Sequence, residues 1–358
     1  LKHTLLKRYL PVFLQRTSAL EGSAAYFDGY AGRGRYQNGA LGTAGEMLKF
    51  AADVKYGRSK RDIKLFFSEM DQESYSILNE LCDGYRKRGI SINCENCDAG
   101  DFLKKSLSSF SRLPTFFFLD PCGVGLPFSS ILEAANRGGK REWPATELVL
   151  NFSTEAIRRI GGHVNSKTPS KATMDRLSKS LGGDWWKDSF TKNIESPDEE
   201  VVRDFSHRLA TETGMYTFAV PVRRNLNHKP IYYLIFGTRK SRGLWNFAHA
   251  TALTAEEWRQ NAQAAIDGNQ LALDANWTPT LADREEAALP QIMDNIEALI
   301  KAKGEFELGD YPHEVFGAYL GEVRESIARK AVKKLHQKGL TITNGTGGKV
   351  ENLRIIPS

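Results

Sequence analysis

YFDGYAGRG (26–34) and FFFLDPCG (116–123) are the stretches that decide how this chain folds. In the first, a short apolar run ends on Asp28, passes through Gly32 and Gly34, and leads into a segment with helical patterning. In the second, a strongly apolar run stops at Asp120-Pro121. A strand that enters a glycine-rich turn lets backbone approach a ligand closely. In a doubly wound sheet such turns lie at the carboxyl ends of the strands, where ligands bind. Two of them in this order predict a nucleotide-like cofactor beside one and chemistry beside the other.

Working outward, strand-like runs occur at 24–29, 63–69, 90–94, 115–120 and 148–152, and again at 216–222 and 231–237. Helix-like segments separate the first five, which predicts parallel strands with right-handed crossovers. The short polar link 223–229 predicts that the last two form an antiparallel hairpin. The expected fold class is therefore α/β, with a Rossmann-like seven-stranded sheet of five parallel strands closed by that hairpin. Residues 5–20 carry apolar positions at helical spacing and predict an N-terminal helix. Two connections are long. Residues 36–61 contain NGALGTAGEML, a loop entering a helix. Residues 154–213 are polar and contain Trp185 and Trp186. They predict a helical insertion over the strand ends, either carrying substrate contacts or only covering surface.

The C-terminal part has a different pattern. Residues 250–289 read as helical and connecting. Beyond them come a helix with Ile292, Ile296, Leu299 and Ile300 on one face, a short second helix at 313–320, and a third at 323–337. LTIT (340–343), a turn at 344–349 and a last apolar run at 350–356 complete a winged-helix pattern. The predicted division is a sheet domain over 1–250 with its insertion at about 154–213, a helical linker over 251–288, and a winged-helix domain over 289–358. In the third helix Ile327, Ala331, Val332 and Leu335 share an apolar face. Arg329, Lys330, Lys333, Lys334 and Lys338 lie largely elsewhere. Such a basic helix suits phosphate contacts in a groove, and a solvated face on a protein–protein module is the alternative.

Bulk properties agree with a globular chain. Its 358 residues, 41% hydrophobic and 26% charged, allow a full core and a second small domain. A formal charge of +6 favours an acidic partner such as nucleic acid. Cys82, Cys94, Cys97 and Cys122 show no disulfide framework and read as reduced thiols of a cytoplasmic protein. Cys94-x-x-Cys97 has no second pair and the histidines have no ligand spacing, so no metal is expected. No apolar run reaches the roughly 20 residues of a membrane span, and no signal peptide is read.

Five strand ends carry chemistry in register. Asp28, Gly32 and Gly34 follow the first, with Asp28 able to accept from a cationic ammonium. FSEMD places Glu69 where a carboxylate can accept both hydroxyls of a ribose. NCDAGDF places Asp98 where it can accept from an adenine amino group. Asp120-Pro121-Cys122-Gly123 follows the fourth strand and Asn151-Phe152-Ser153 the fifth. Each is weak alone, because an acid at a strand end is often a helix cap.

With these residues in place, the chain resembles the class I S-adenosylmethionine-dependent methyltransferases. The closing hairpin belongs to that fold, and Asp28 to Gly34 follow acidic-x-Gly-x-Gly-x-Gly with Tyr30 at the first glycine. More closely it is similar to the three-Cys-motif partner protein family (TcmP-like), through FDGYAGRG, FSEMD, DAGDF, FLDPCG, LNFS, YYLIFGTRK and the C-terminal unit. The resemblance implies that Asp28, Gly32, Gly34 and Glu69 line the methionine and ribose part of an S-adenosylmethionine pocket. It also implies that Asp98 takes the adenine end and that Asp120 and Pro121 face the methyl group. It implies a protein partner bearing a three-cysteine motif. In amino-methylating relatives with an Asp/Asn-Pro-Pro-aromatic turn, the aromatic stacks on the base. Here Cys122 and Gly123 stand in those places, and Phe128 or Phe152 are the candidate substitutes. Cys122 has two readings: a thiolate nucleophile of carbon-5 cytosine methylation, or a small buried thiol. The expected function is methyl transfer acting on or with nucleic acid. The alternative is a non-catalytic partner protein that docks protein or DNA through the winged helix. The closing hairpin and the Asp-Pro turn disfavour a nicotinamide oxidoreductase.

Overall fold

The computed structural model describes residues 1–58, 60–121, 123–138, 144–166, 170–192, 194–225, 228–267 and 279–358. Among them, seven strands form one sheet: β1 (Ser23–Asp28), β2 (Asp62–Ser68), β3 (Ile92–Glu95), β4 (Thr115–Leu119), β5 (Thr146–Phe152), β6 (Tyr216–Val222) and β7 (Tyr232–Thr238). The strand order is β3-β2-β1-β4-β5-β7-β6. The first five are parallel, and β7 runs antiparallel to both β5 and β6. The α/β class, the parallel set and the closing hairpin are those expected, with strand limits moved by up to two residues.

The central strands read as unbroken apolar runs because both faces of a parallel sheet are covered. Tyr26, Phe67, Phe116 and Phe118 join one core, while Ala25, Phe27, Phe66, Phe117 and Leu119 join the other. The first face carries α1 (Lys2–Glu21), α2 (Thr43–Tyr56) and α3 (Gln72–Arg86). The second carries α4 (Ala99–Ser106), α5 (Phe128–Ala135), α6 (Thr154–Gly161), α7 (Lys171–Leu181), α8 (Lys187–Thr191) and α9 (Pro197–Thr213).

Within the segment 154–213, α6 and α7 reach the strand ends as expected, with Ser180 Oγ donating to the Gly125 carbonyl at 2.8 Å, whereas α9 lies on the sheet. Val201, Val202, Phe205 and Leu209 of α9 recur at helical spacing and are buried with Leu150 and Ile235 of the sheet. This helix is thus the crossover that covers β6 and β7. The two tryptophans are core residues of the same layer: Trp186 is fully buried with Nε1 donating to Ser178 Oγ at 3.0 Å, and Trp185 donates to the Leu181 carbonyl at 3.0 Å.

Helix α10 (Ser241–Asp267) is continuous through residue 250 and packs against α1 and the hairpin. Part of the expected linker, 268–278, lies outside the described residues. The C-terminal unit comprises α11 (Leu281–Lys303), β8 (Phe306–Glu307), α12 (Pro312–Phe316), α13 (Ser326–Gln337) and β9 (Arg354–Ile355). Its apolar residues belong to the same core as α1 and α10, and the ring of Trp245 in α10 packs tilted against Phe316 with centroids 4.7 Å apart. The hairpin expected between 340–343 and 350–356 forms in part as a short antiparallel pairing, with the Ile342 amide donating to the Ile356 carbonyl at 3.0 Å. Residues 350–352 form a 3₁₀ turn and β9 pairs with β8, while Thr341 bridges to Pro357. A two-residue strand such as β8 has no readable alternation, which is why the sequence did not reveal it.

Candidate functional site at the strand ends

Asp28 ends β1 and is 1% exposed. Its Oδ1 accepts the Tyr30 amide at 3.0 Å, and its Oδ2 accepts the Tyr26 hydroxyl at 3.4 Å. Burial pushes its pKa up to about 7. The Tyr30 amide opposes that rise and the nearby Asp120 reinforces it. The turn that follows is stitched to the end of β2. Ala31 donates to the Ser68 carbonyl at 3.0 Å, Ser68 Oγ donates to the Gly29 carbonyl at 3.0 Å, and Gly32 donates to Glu69 Oε2 at 2.9 Å. The other Glu69 oxygen accepts the Asp71 amide at 2.8 Å. Gly32 has φ 62° and only open space where a Cβ would stand. Gly34, at φ 70°, presents its carbonyl to α2 so closely that a Cβ on Gly45 would lie 2.3 Å from it. This is the physical reason that the turn and the helix after it are glycine-bearing.

Asp98 caps α4: Oδ1 accepts from Gly100 at 2.7 Å and from Asp101 at 3.4 Å. Asn96, which sequence reasoning passed over, ties β3 to β2 by donating to the carbonyls of Glu69 and Met70 at 2.8 and 3.0 Å.

Asp120 is held from two sides. Lys2 Nζ lies 2.5 Å from Oδ2, and Asn151 Nδ2 lies 2.5 Å from Oδ1. Burial works against the Lys2 charge, but attraction to Asp120, their hydrogen bond and smaller contributions from Tyr232 and Tyr36 outweigh it, and the Lys2 pKa is raised. The next residue, His3, contacts Tyr36 Oη at 2.6 Å and Thr43 Oγ1 at 3.1 Å. The first turn of α1 is therefore clamped over both the Asp120 turn and the loop leading into α2. Asn151 Oδ1 is buried with no hydrogen-bond partner, an acceptor left open beside Asp120. Lys2 carried no sequence signal, because its role depends on a contact 118 residues away.

Pro121, Asn151, Phe152 and Leu177 help to enclose an apolar cavity of about 50 Å³ next to the Asp-Pro turn. Cys122 lies outside the described residues. Phe128 and Phe152 are buried, with ring centroids 5.4 and 4.7 Å from Phe205. Phe128 is thereby packed away from the turn, whereas Phe152 also lines the cavity beside it. In the C-terminal unit, Lys330, Lys333, Lys334 and Lys338 are exposed. Arg329 is engaged internally, donating to the carbonyls of Gly345, Gly347 and Gly348 at 2.7, 2.8 and 2.7 Å.

The residues fit the cofactor that the resemblance implies. Four carboxylates lie at or just beyond the ends of the four neighbouring strands β3-β2-β1-β4: Asp98, three residues past β3, then Glu69, Asp28 and Asp120. An ionised carboxylate has about four acceptor sites. Glu69 uses two of them and Asp98 uses one oxygen, so both keep capacity for hydroxyl and amino donors. Gly32 leaves the backbone of the first turn open to close approach.

No known family profile matches the chain, and no curated protein matches it. Solved structures do. The small RNA methyltransferase HEN1 aligns at 7% identity and a TM-score of 0.37, over 67% of this chain and 26% of that one. The methyltransferase domain of bacterial-CtHen1-CN aligns at 9% identity and a TM-score of 0.34, over 65% of this chain and 99% of that one. This chain therefore spans about a quarter of the longer neighbour. Likeness at that level says nothing about what this chain binds, and its fold is read from its own strand order. Among the described residues, no three of His, Cys, Asp or Glu gather as metal ligands, and no helix is long and apolar enough to cross a membrane.

Proposed function

We propose that the chain is a class I S-adenosylmethionine-dependent methyltransferase of the three-Cys-motif partner kind, acting on nucleic acid and carrying a winged-helix module over 289–358. The observation that carries this reading is the row of four carboxylates across adjacent strand ends, with Asp120 gripping an ammonium. Glu69 would hold the ribose hydroxyls of the cofactor, Asp98 its adenine amino group, and Asp28 its cationic end. When bound, the sulfonium supplies the methyl group and the leaving group.

The chain's own residues then need to align an acceptor, and alignment is the larger part of such a reaction. Asp120 Oδ2 accepts from the Lys2 ammonium in this structure, so the same oxygen is suited to an acceptor amine. The unpartnered Asn151 Oδ1 offers a second acceptor beside it. Exchange of the Lys2 ammonium for the acceptor would leave Asp120 oriented by Asn151 alone. Four exposed lysines on or just after α13 support a phosphate-bearing partner.

The test is transfer of labelled methyl from S-adenosylmethionine to total DNA and total RNA. The reading expects incorporation that Asp120→Ala abolishes. Cofactor binding with no incorporation into either would favour the non-catalytic partner role.

A further inference from the structure

A cavity of about 220 Å³ lies between the end of β6, α10 and the C-terminal unit. Its lining includes Phe218, Trp258, Arg223, Arg259, Leu1 and Glu322. Strand β6 is parallel to β5, since both oppose β7, so its carboxyl end shares the sheet edge that holds Asp120 and Asn151. The chain also links the two places directly. Leu1 lines the cavity, and Lys2, the next residue, grips Asp120. On the hairpin side, Val222 pairs with Tyr232, whose ring lies 5.8 Å from Lys2 Nζ.

The lining has unspent donors. Arg259 gives Nη2 to Glu322 at 2.6 Å, but its Nη1 is buried without a partner. A buried donor left so is costly until a ligand accepts from it. Arg223 makes no hydrogen bond or ion pair with the described residues. Glu322 is the one carboxylate of the lining among the described residues, and Arg259 pairs with it. Two aromatic residues and two arginines in one lining match a base that stacks and a phosphate that accepts. The volume lies below the roughly 300–1,000 Å³ of sites for drug-sized ligands, which suits one base and not a folded partner.

We propose that this cavity binds one nucleotide of a single-stranded nucleic acid. Its base would pack on Phe218 and Trp258, and its phosphate would lie on Arg223 and Arg259. The site would hold a residue flanking the one presented to Asp120. This assignment rests on the proposed action on nucleic acid and adds where the strand is gripped.

The experiment uses the full chain and a fluorescein-labelled five-nucleotide oligomer in anisotropy titrations, with adenosine 5′-monophosphate as competitor. Wild type, Arg223→Ala and Trp258→Leu are compared, with their melting temperatures and S-adenosylmethionine affinities as controls. Loss of roughly ten- to hundredfold in oligomer affinity in both variants, at unchanged melting temperature and cofactor affinity, is expected from the roughly 1–3 kcal/mol of each stacking contact. Displacement by the mononucleotide identifies a single-nucleotide site, and an oligomer that resists it identifies a strand that needs its neighbours. Either supports the assignment. Oligomer binding unchanged by both substitutions overturns the cavity but spares the methyltransferase reading. Absence of cofactor binding overturns that reading and leaves the oligomer result to stand alone.

Discussion

The Nζ atom of Lys2, in the first turn of α1, lies 2.5 Å from Oδ2 of Asp120 at the end of β4. A cation thus occupies the position from which Asp120 would hold an acceptor amine, beside the pocket proposed for a cationic cofactor. Two like charges brought together at a partly buried site repel one another. Lys2→Met should tighten S-adenosylmethionine binding by roughly two- to tenfold, and Asp120→Asn should weaken it. Calorimetric titration of both variants measures this, and weaker binding by Lys2→Met would contradict the placement.

Asp28 is buried and takes its proton back near pH 7, with Tyr26, the Tyr30 amide, Asp120 and Lys2 facing it. A cationic ligand beside it favours the ionised form, so binding must release the proton. Cofactor affinity should rise as pH increases through about 7 and level off above it. Asp28→Asn should bind more weakly and lose the pH dependence. A profile unchanged by the substitution would place the cation elsewhere.

Glu147 of β5 is buried beneath α1, accepting from Tyr9 Oη at 2.7 Å and Thr238 Oγ1 at 3.0 Å. Burial pushes its pKa from 4.5 up to about 7, and its two hydroxyl donors oppose that rise. Between these values the folded chain binds a proton that the unfolded chain has lost. Stability therefore falls as pH rises through that window and is flat above it. Asp28 acts in the same sense from 3.8 to about 7. The thermal midpoint should drop between about pH 5 and pH 7.5, and Glu147→Gln should shrink that drop. An equal drop in the variant would rule out Glu147 as a source.

Gly45→Ala would place a Cβ 2.3 Å from the Gly34 carbonyl oxygen, a backbone atom that cannot swing aside. Relief requires α2 or the 29–34 turn to move, at about 1–3 kcal/mol. The thermal midpoint should fall by a few degrees, and cofactor binding should weaken with it. Gly32→Ala meets open space but a φ of 62°, so it should cost about 1 kcal/mol through backbone strain alone.

Lys333 and Lys334 are exposed, whereas Arg329 holds the 345–348 carbonyls. Lys333→Ala/Lys334→Ala should reduce the slope of log affinity against log salt for nucleic acid by up to about 2 with no loss of stability. Arg329→Ala should lower the thermal midpoint. A melting loss in the lysine pair and none in Arg329→Ala would invert these roles.

What could be read from the sequence follows from how local each signal is. Unbroken apolar runs such as FFFLD are visible because both faces of the strand are buried, and the hairpin is visible because its link is short. The turn glycines are legible because glycine adopts φ near 60–70° without the strain other residues meet there. The roles of Lys2 and Asn151 toward Asp120 were hidden, since no period or motif records a contact made by folding. Polar composition made α9 look like a surface insertion, although four apolar residues on one stripe were enough to seat it on the sheet. Arg329 looked like its lysine neighbours until the path of the 345–348 loop was known.

The most direct measurement is calorimetric titration of the full chain with S-adenosylmethionine, with Asp28→Ala and Glu69→Ala alongside. The account predicts saturable one-to-one binding by the wild type that both substitutions weaken by at least about tenfold, the effect of about 1.4 kcal/mol. No binding by a folded wild-type chain, or binding indifferent to both substitutions, would contradict it.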